Sequence, residues 1–459
     1  MSFSRKTILY CNLIVSILLI SSISASIFRN PFRDKPVSVC YEEYGCFYDD
    51  RPFTSFLFDT LPDNPNKFKI NFYDFNKTQK IVQSFKSKTV TVLFLDKGEK
   101  VSLNRWYSRY SGNTLQSENH VIAVDWYSAQ SISKAKTITN MQILSKMIYR
   151  KFIQIVFISP EKDIENYHLN FVGLGYGAQL AGMTSERFKS SVFSIDTIIA
   201  VNPQREYFKL EENTDRLSSD DAKTVFGIYS HEKEHQINFN EATYKIFIPY
   251  NTFLDGCPNF NMDLTENLRC THILPMEMIL ESSSCPFIPL NCPLNGLQSF
   301  LDGHCLNCDK TFCPTITFSQ SSSTITPTSF YLKVPSSIGK CAYFYRIVME
   351  FDYGFNVLPS TLNLIVKKKH ISMNFPIKIP MFIGRKQIVQ LILSSVILEP
   401  NTIDIIPGLM SIIHVRVRQV TLESITHSNP SYTFCGTEFI GPLKASFSNA
   451  DRDIIKCEI

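Results

Sequence analysis

The sequence predicts an α/β domain with a mostly parallel sheet covered by helices, followed by a separate all-β sandwich. Three observations carry this. Between about Cys40 and Phe318 short apolar runs alternate with stretches of helical spacing, the pattern of strands buried on both faces of a parallel sheet. A polar run, Ser319-Gln320-Ser321-Ser322-Ser323 through Pro327, then interrupts the chain and reads as a linker. Beyond it, β-branched runs with partial alternation follow one another with no helical pattern between them.

In the first part, Val90 to Phe94 is an apolar strand, and Val121-Ile122-Ala123-Val124 is a second that ends in Asp125-Trp126. Ile138 to Tyr149 is a helix with Ile143, Met147 and Ile148 on one face. Ile155 to Ile158, Leu169 to Val172 and Ile198 to Val201 continue the strand series. In the second part, Ala342 to Phe351, Ser360 to Val366, Gln387 to Leu393 and Ser411 to Val417 are the sandwich strands. The predicted division is a leader over 1–25, an α/β domain over 26–318, a linker over 319–327 and a sandwich over 328–459.

The leader is read from Arg5 and Lys6 before the apolar run Ile8 to Ile23, with small residues at Ser24, Ala25 and Ser26. That is the three-part pattern of a secretory signal peptide, and the run is short for a membrane span of about 20 residues. A secreted, extracellular chain with no membrane span after cleavage is expected. Of 13 cysteines, Cys11 lies in the leader, and the even remainder in an oxidising compartment predicts disulfides. Without Arg5 and Lys6 the chain carries 44 basic and 42 acidic side chains, which gives no reason to expect a nucleic-acid partner. No cofactor is expected. His304-Cys305 with Cys308 resembles a short zinc knuckle, but secretion favours disulfides there and no metal site. Asn76-Lys77-Thr78 is a glycosylation sequon.

The stretch most informative about chemistry is Gly173-Leu174-Gly175-Tyr176-Gly177. The motif G-x-S-x-G is a strand-to-helix turn that exposes a nucleophilic serine. Here a predicted strand precedes the motif and a predicted helix, Ala178 to Phe188, follows it, but the serine position is glycine. No other G-x-S-x-G occurs in the chain.

With these residues, the chain resembles the pancreatic lipase family, secreted lipases and phospholipases A1 with yolk-protein relatives. The dispersed matches are Cys40 and Cys46 in an opening C-x5-C segment, Asp96-Lys97-Gly98-Glu99, Val124-Asp125-Trp126, Asn140, Arg216-Leu217 with Asp221-Ala222-Lys223, Cys270-Thr271-His272, and Cys305, Cys308 and Cys313. Tyr432-Thr433-Phe434-Cys435 with Cys457 resembles the family's C-terminal end. The resemblance implies an α/β-hydrolase domain followed by a PLAT-like β-sandwich. It also implies disulfides Cys40–Cys46, Cys257–Cys270, Cys285–Cys305, Cys308–Cys313 and Cys435–Cys457, while Cys292 and Cys341 either pair with each other or stay free.

The resemblance places the triad at Gly175 for the nucleophile, Asn202 for the acid and His272 for the base. Glycine has no side chain to attack an ester, and asparagine lacks the charge that stabilises an imidazolium. The family's His-Gly-Phe before the Asp96 loop, which supplies oxyanion donors, is replaced by Val92-Leu93-Phe94-Leu95, so that hole is expected to be incomplete. His272 is then a remnant or a structural histidine beside a disulfide. Cys257 to Cys270 matches the disulfide-tied lid, here short.

The expected function is a catalytically inactive lipase relative that binds lipid or a protein partner at a lipid surface. The alternatives are an active triglyceride lipase or phospholipase A1, and a storage protein like the yolk-protein relatives. Lys367-Lys368-Lys369-His370 reads as a solvated β-edge, with a glycosaminoglycan or an anionic lipid surface as the functional alternative.

Overall fold

The computed structural model describes residues 38–48, 61–74, 81–83, 85, 87, 89–101, 119–158, 167–189, 191, 193–208, 215–230, 241–249, 270–277, 289–292, 296–301, 316, 329–333, 343–356, 360–368, 371–394, 397–407, 413–425, 431–435, 438–440 and 445–448. The expected signal peptide and linker, Asn76, and Cys257, Cys285, Cys305, Cys308, Cys313, Cys341 and Cys457 lie outside them.

A small hairpin opens the described chain, β1 (Ser38–Tyr41) and β2 (Gly45–Tyr48), closed by the Cys40–Cys46 disulfide. The main sheet follows. Its strands are β3 (Asn71–Asp74), β4 (Thr89–Phe94), β5 (Asn119–Asp125), β6 (His168–Leu174), β7 (Ile195–Val201), β8 (Thr224–Tyr229), β9 (Tyr244–Phe247), β10 (Leu290–Asn291) and β11 (Ser329–Tyr331). Their spatial order is β10-β11-β9-β8-β7-β6-β4-β5-β3. All neighbours are parallel except β3 with β5 and β10 with β11, at the two ends.

The continuous apolar runs have a direct cause. Val92, Phe171 and Ile198 pack with the helices on one face, and Leu93, Val172 and Ile199 belong to a second cluster on the other. With both faces buried, both sides of a strand favour apolar residues. Among the helices are α1 (Lys134–Ile158) and α2 (Tyr176–Phe188), which pack on each other, and a helical stretch, α3, that spans 270–277.

Two expectations are corrected here. Ile155 to Ile158 is not a strand. It is the last turn of α1, which runs 25 residues. A short apolar run cannot be told from a buried helical turn by pattern alone. The sandwich does not begin at 328 either. Ser329–Tyr331 hydrogen-bonds between β9 and β10 and completes the first sheet.

The second unit contains β12 (Tyr343–Asn356), β13 (Ser360–Lys368), β14 (Ile371–Ile379), β15 (Phe382–Ile383), β16 (Lys386–Ser394), β17 (Thr402–Pro407), β18 (Ile413–Ser424), β19 (Tyr432–Cys435), β20 (Glu438–Ile440) and β21 (Ala445–Ser448). They form two antiparallel sheets. One is built on β12 and β18, and the other has the order β14-β13-β17-β21. Inward residues of both, among them Ile347, Met349, Leu364, Ile377, Ile405 and Phe434, share one core. The basic cluster is thereby corrected as an edge. β13, which carries Lys367, lies inside its sheet between β14 and β17, and Lys367 pairs with the buried Asp404 at 2.5 Å.

Phe344, Leu391 and Ile425 of the sandwich join the apolar cluster on one face of the first sheet. Limited proteolysis is expected to cut first within 319–328, where the sequence is polar and Ser/Thr-rich. The two products should co-elute until denatured, because β11 stays docked between β9 and β10 while attached to the sandwich fragment. Products that separate in native buffer, or first cuts within β4 to β8, would contradict this.

Candidate functional site

The C-terminal ends of the parallel strands gather the residues singled out by sequence, as expected for an open α/β sheet. Gly175 joins β6 to α2 with φ +57° and ψ −117°. Only glycine adopts this conformation without strain. Its N–H donates to Val201 O at 3.0 Å, and its carbonyl accepts from Gln204 N at 3.1 Å. The elbow is therefore clamped to the end of β7. A Cβ at Gly177 would collide with the carbonyls of Phe94 and Leu95, so that glycine lets α2 approach β4.

The space that a side chain at 175 would enter is filled. A Cβ built on Gly175 falls inside the carboxylate of Asp96, closer than any van der Waals contact. Asp96 follows β4, and its Oδ1 accepts from Tyr176 N at 2.7 Å and from Lys97 N at 2.7 Å. Its Oδ2 lies 2.9 Å from His272 Nε2. In hydrolases with this turn, the oxyanion hole combines the N–H after the nucleophile with an N–H from a preceding strand–helix loop. Here the N–H groups of Tyr176 and Lys97 converge on Asp96 Oδ1, so a carboxylate of the same chain takes up the N–H that follows the elbow position. The negative charge also sits at the N-terminus of α2, where the helix dipole favours it.

Trp126, Glu99 and Asn140, singled out by sequence, and Gln130, which was not, hold the Asp96 loop in place. Trp126 Nε1 donates to Leu95 O at 3.0 Å. Gly98 N donates to Gln130 Oε1 at 2.6 Å, and Asp96 N donates to Glu99 Oε2 at 3.0 Å. Asn140 Nδ2 donates to Ala129 O at 2.8 Å, fixing the turn just before Gln130.

Asn202, at the acid position, does not orient the imidazole. It follows β7 with φ +44°, a conformation that asparagine tolerates. Its Oδ1 accepts from Ser230 N at 2.8 Å. Its Nδ2 donates to Ser230 Oγ at 2.7 Å and to His272 O at 3.0 Å. Ser230 Oγ in turn donates to Thr271 O at 3.0 Å. The amide therefore fastens the start of α3 to the strand ends, a task that needs a donor an aspartate lacks. His272 reaches the elbow and pairs with Asp96, so it is not merely a histidine beside a disulfide.

Asp96 is the residue that sequence reasoning passed over as part of a loop motif. Its signal was a carboxylate directly after a strand, in a segment short of the expected pair. Tyr176 beside it is buried, and burial together with Glu206 and Asp96 pushes its hydroxyl pKa up, so it stays protonated. Burial and the nearby Lys134 lower the Lys97 ammonium, which lies 5.9 Å from the Tyr176 ring. The Arg216–Lys223 motif is structural. Leu217 N donates to Gln179 Oε1 at 2.8 Å, and Lys223 pairs with Asp196 at 2.6 Å.

The sequence pattern of the Lipase family matches residues 38–338, well over half of the chain. The chain belongs to the Lipase family. It is 24% identical to pancreatic lipase-related protein 2 of Cavia porcellus over 301 residues, covering 60% of this chain and 66% of that protein. It is 25% identical to human pancreatic lipase-related protein 3 over 330 residues, covering 64% and 68%, and 27% identical to human pancreatic triacylglycerol lipase over 226 residues, covering 42% and 44%. The chain thus spans just under two thirds of the first of these relatives and less than half of the last. Among solved structures, a ferulic-acid complex of Est1E from Butyrivibrio proteoclasticus aligns at 10% identity over 36% of this chain and 76% of its own, with a TM-score of 0.24. That score carries no argument, and the α/β assignment rests on the strand order itself.

Of the expected disulfides, Cys40–Cys46 is formed. Cys270, Cys292 and Cys435 are each disulfide-bonded to a cysteine outside the described residues, so Cys292 is not free. Among the described residues no cluster suited to a metal ion occurs, and no helix is long and apolar enough to cross a membrane.

Proposed function

We propose that this Lipase-family chain has lost serine-ester chemistry and acts as a secreted binding protein. Its ligand is lipid or a protein at a lipid surface, held by the cleft above the elbow or by the PLAT-like sandwich. One observation carries the loss of ester chemistry. The Asp96 carboxylate occupies the space of the missing serine side chain and both oxyanion donors at once. An ester carbonyl then has neither a nucleophile to meet nor a hole to enter, and it would face a negative charge where its own oxygen must become negative. The matched relatives include proteins named as triacylglycerol lipases, which supports an acyl-lipid ligand for a scaffold that keeps the elbow, the strand order and the disulfide-tied ends.

The test is turnover. The purified secreted protein is expected to hydrolyse short-chain esters, triglyceride emulsions and phospholipid vesicles no faster than buffer, while sedimenting with lipid droplets or vesicles. Ester turnover that a serine-reactive phosphonate abolishes would overturn the first half of the reading. Failure to sediment with any lipid, alone or carrying a bound protein, would overturn the second.

A further inference from the structure

The carboxylate that excludes an ester creates a different reactive centre, and we propose that Asp96 is the nucleophile of an epoxide-opening hydrolysis. The inference goes beyond the binding function and stands on three contacts. Asp96 Oδ1 lies between two backbone N–H donors at 2.7 Å each, and Oδ2 faces His272 Nε2 at 2.9 Å. Both side chains keep access to solvent, His272 at 27% and Asp96 at 17% exposure.

The chemistry selects the electrophile. A carboxylate attacking an ester carbonyl gives an anhydride, which is uphill, whereas attack on a strained saturated carbon gives a stable ester. An epoxide supplies that strain, and its leaving oxygen stays attached to the substrate, so no leaving-group pocket is required. In the first step Oδ2 forms a bond to one epoxide carbon. The carbon–oxygen bond of the ring breaks with its electron pair, and the alkoxide takes a proton from water. The product is an alkyl ester of Asp96.

In the second step His272 removes a proton from a water that adds to the Asp96 carbonyl carbon. The charge that develops falls on Oδ1, already placed between the N–H groups of Tyr176 and Lys97, the geometry that stabilises a tetrahedral intermediate. Cleavage of the bond between that carbon and Oδ2 leaves an alkoxide on the substrate, which takes the proton of the new Asp96 carboxyl and departs as a vicinal diol, while the proton on His272 neutralises the hydroxide left by the first step. The sum is one epoxide plus one water giving one diol. Gly175 is part of the design, because any side chain there would displace the nucleophile. A lipid-binding scaffold points to epoxidised acyl chains as the substrate class.

Styrene oxide, a medium-chain terminal epoxide and micellar epoxidised oleic acid serve as probes for the full-length protein. His272→Gln is expected to gain one epoxide mass per chain, mapped by peptide mass spectrometry to Asp96, and to stop there. Asp96→Asn should gain none. The native protein, cycled in heavy-oxygen water, should carry the label in the Asp96 carboxylate, a readout that needs no variant to fold. Thermal melts establish that both variants are folded. An adduct on another residue, or neither adduct nor label with all three probes, overturns the proposal and leaves the binding function untouched. Phosphonate-sensitive ester turnover would overturn only the proposed loss of serine-ester chemistry.

Discussion

Gly175→Ser is expected to destabilise the protein by on the order of 4 kcal/mol, lower Tm by roughly 6 °C and yield no esterase. Two costs add. The backbone at φ +57° strains any residue with a Cβ by about 1–3 kcal/mol. The serine also expels the Asp96 carboxylate from two N–H donors and from His272, at about 1.5–3 kcal/mol for each hydrogen bond to a charged group, partly regained from water. Gly175→Ala should fall almost as far, since the collision begins at Cβ. The double change Gly175→Ser with Asp96→Gly should recover part of the loss, a coupling that a double-mutant cycle of melts reads directly. A serine variant as stable as the parent would mean that Asp96 does not occupy the elbow. Adding Asn202→Asp should not help, because it sets a carboxylate against the carbonyl of His272, to which Asn202 now donates.

Glu241→Ala is expected to cost about 3–5 kcal/mol, measured as the loss of unfolding free energy in denaturant. Glu241 pairs with Arg205, and both side chains are more than nine-tenths buried. The Tyr229 hydroxyl donates to Glu241 Oε1 at 2.6 Å, and the Arg205 guanidinium lies 4.5 Å from the Tyr229 ring. Burial and the Glu241 charge push the Tyr229 hydroxyl well above its ordinary range, so it remains a donor. Removing the carboxylate leaves the guanidinium buried without its partner. Replacing Arg205 and Glu241 together by leucine should cost much less than Glu241→Ala, since breaking a buried pair is worse than replacing it. Equal costs would mean that the pair contributes through packing. Arg205 lies three residues beyond Asn202, and Gln204 is hydrogen-bonded to Gly175, so the cluster also steadies the elbow.

The strands and helices near the site were legible in the sequence because their causes are local. Apolar-rich runs such as Val90 to Phe94 fit burial on both faces of a sheet, and Gly173-Leu174-Gly175-Tyr176-Gly177 between a strand and a helix fits a turn. The family and the opening disulfide followed from residue identities. The errors fell where local pattern is degenerate. Ile155 to Ile158 has the same composition as a strand but continues α1 for a last turn, and only the preceding helix decides its state. Ser329–Tyr331 is too short to carry a period, and its membership in the first sheet is a matter of long-range pairing.

By itself the sequence determined that position 175 presents no side chain, since glycine has none in any fold. It could not determine what replaces it. Asp96 and His272 are 176 positions apart, and no spacing rule relates a residue after β4 to one in α3. Only the stacking of parallel strand ends brings them together with the N–H of Tyr176. The same holds for Asn202. Its identity removes a charge, but its task of fastening the start of α3 through Ser230 and the His272 carbonyl exists only where two strand ends and a helix meet. Chemistry that depends on which groups a chain possesses is written along it. Chemistry that depends on a carboxylate filling a space a missing Cβ leaves open is decided by packing.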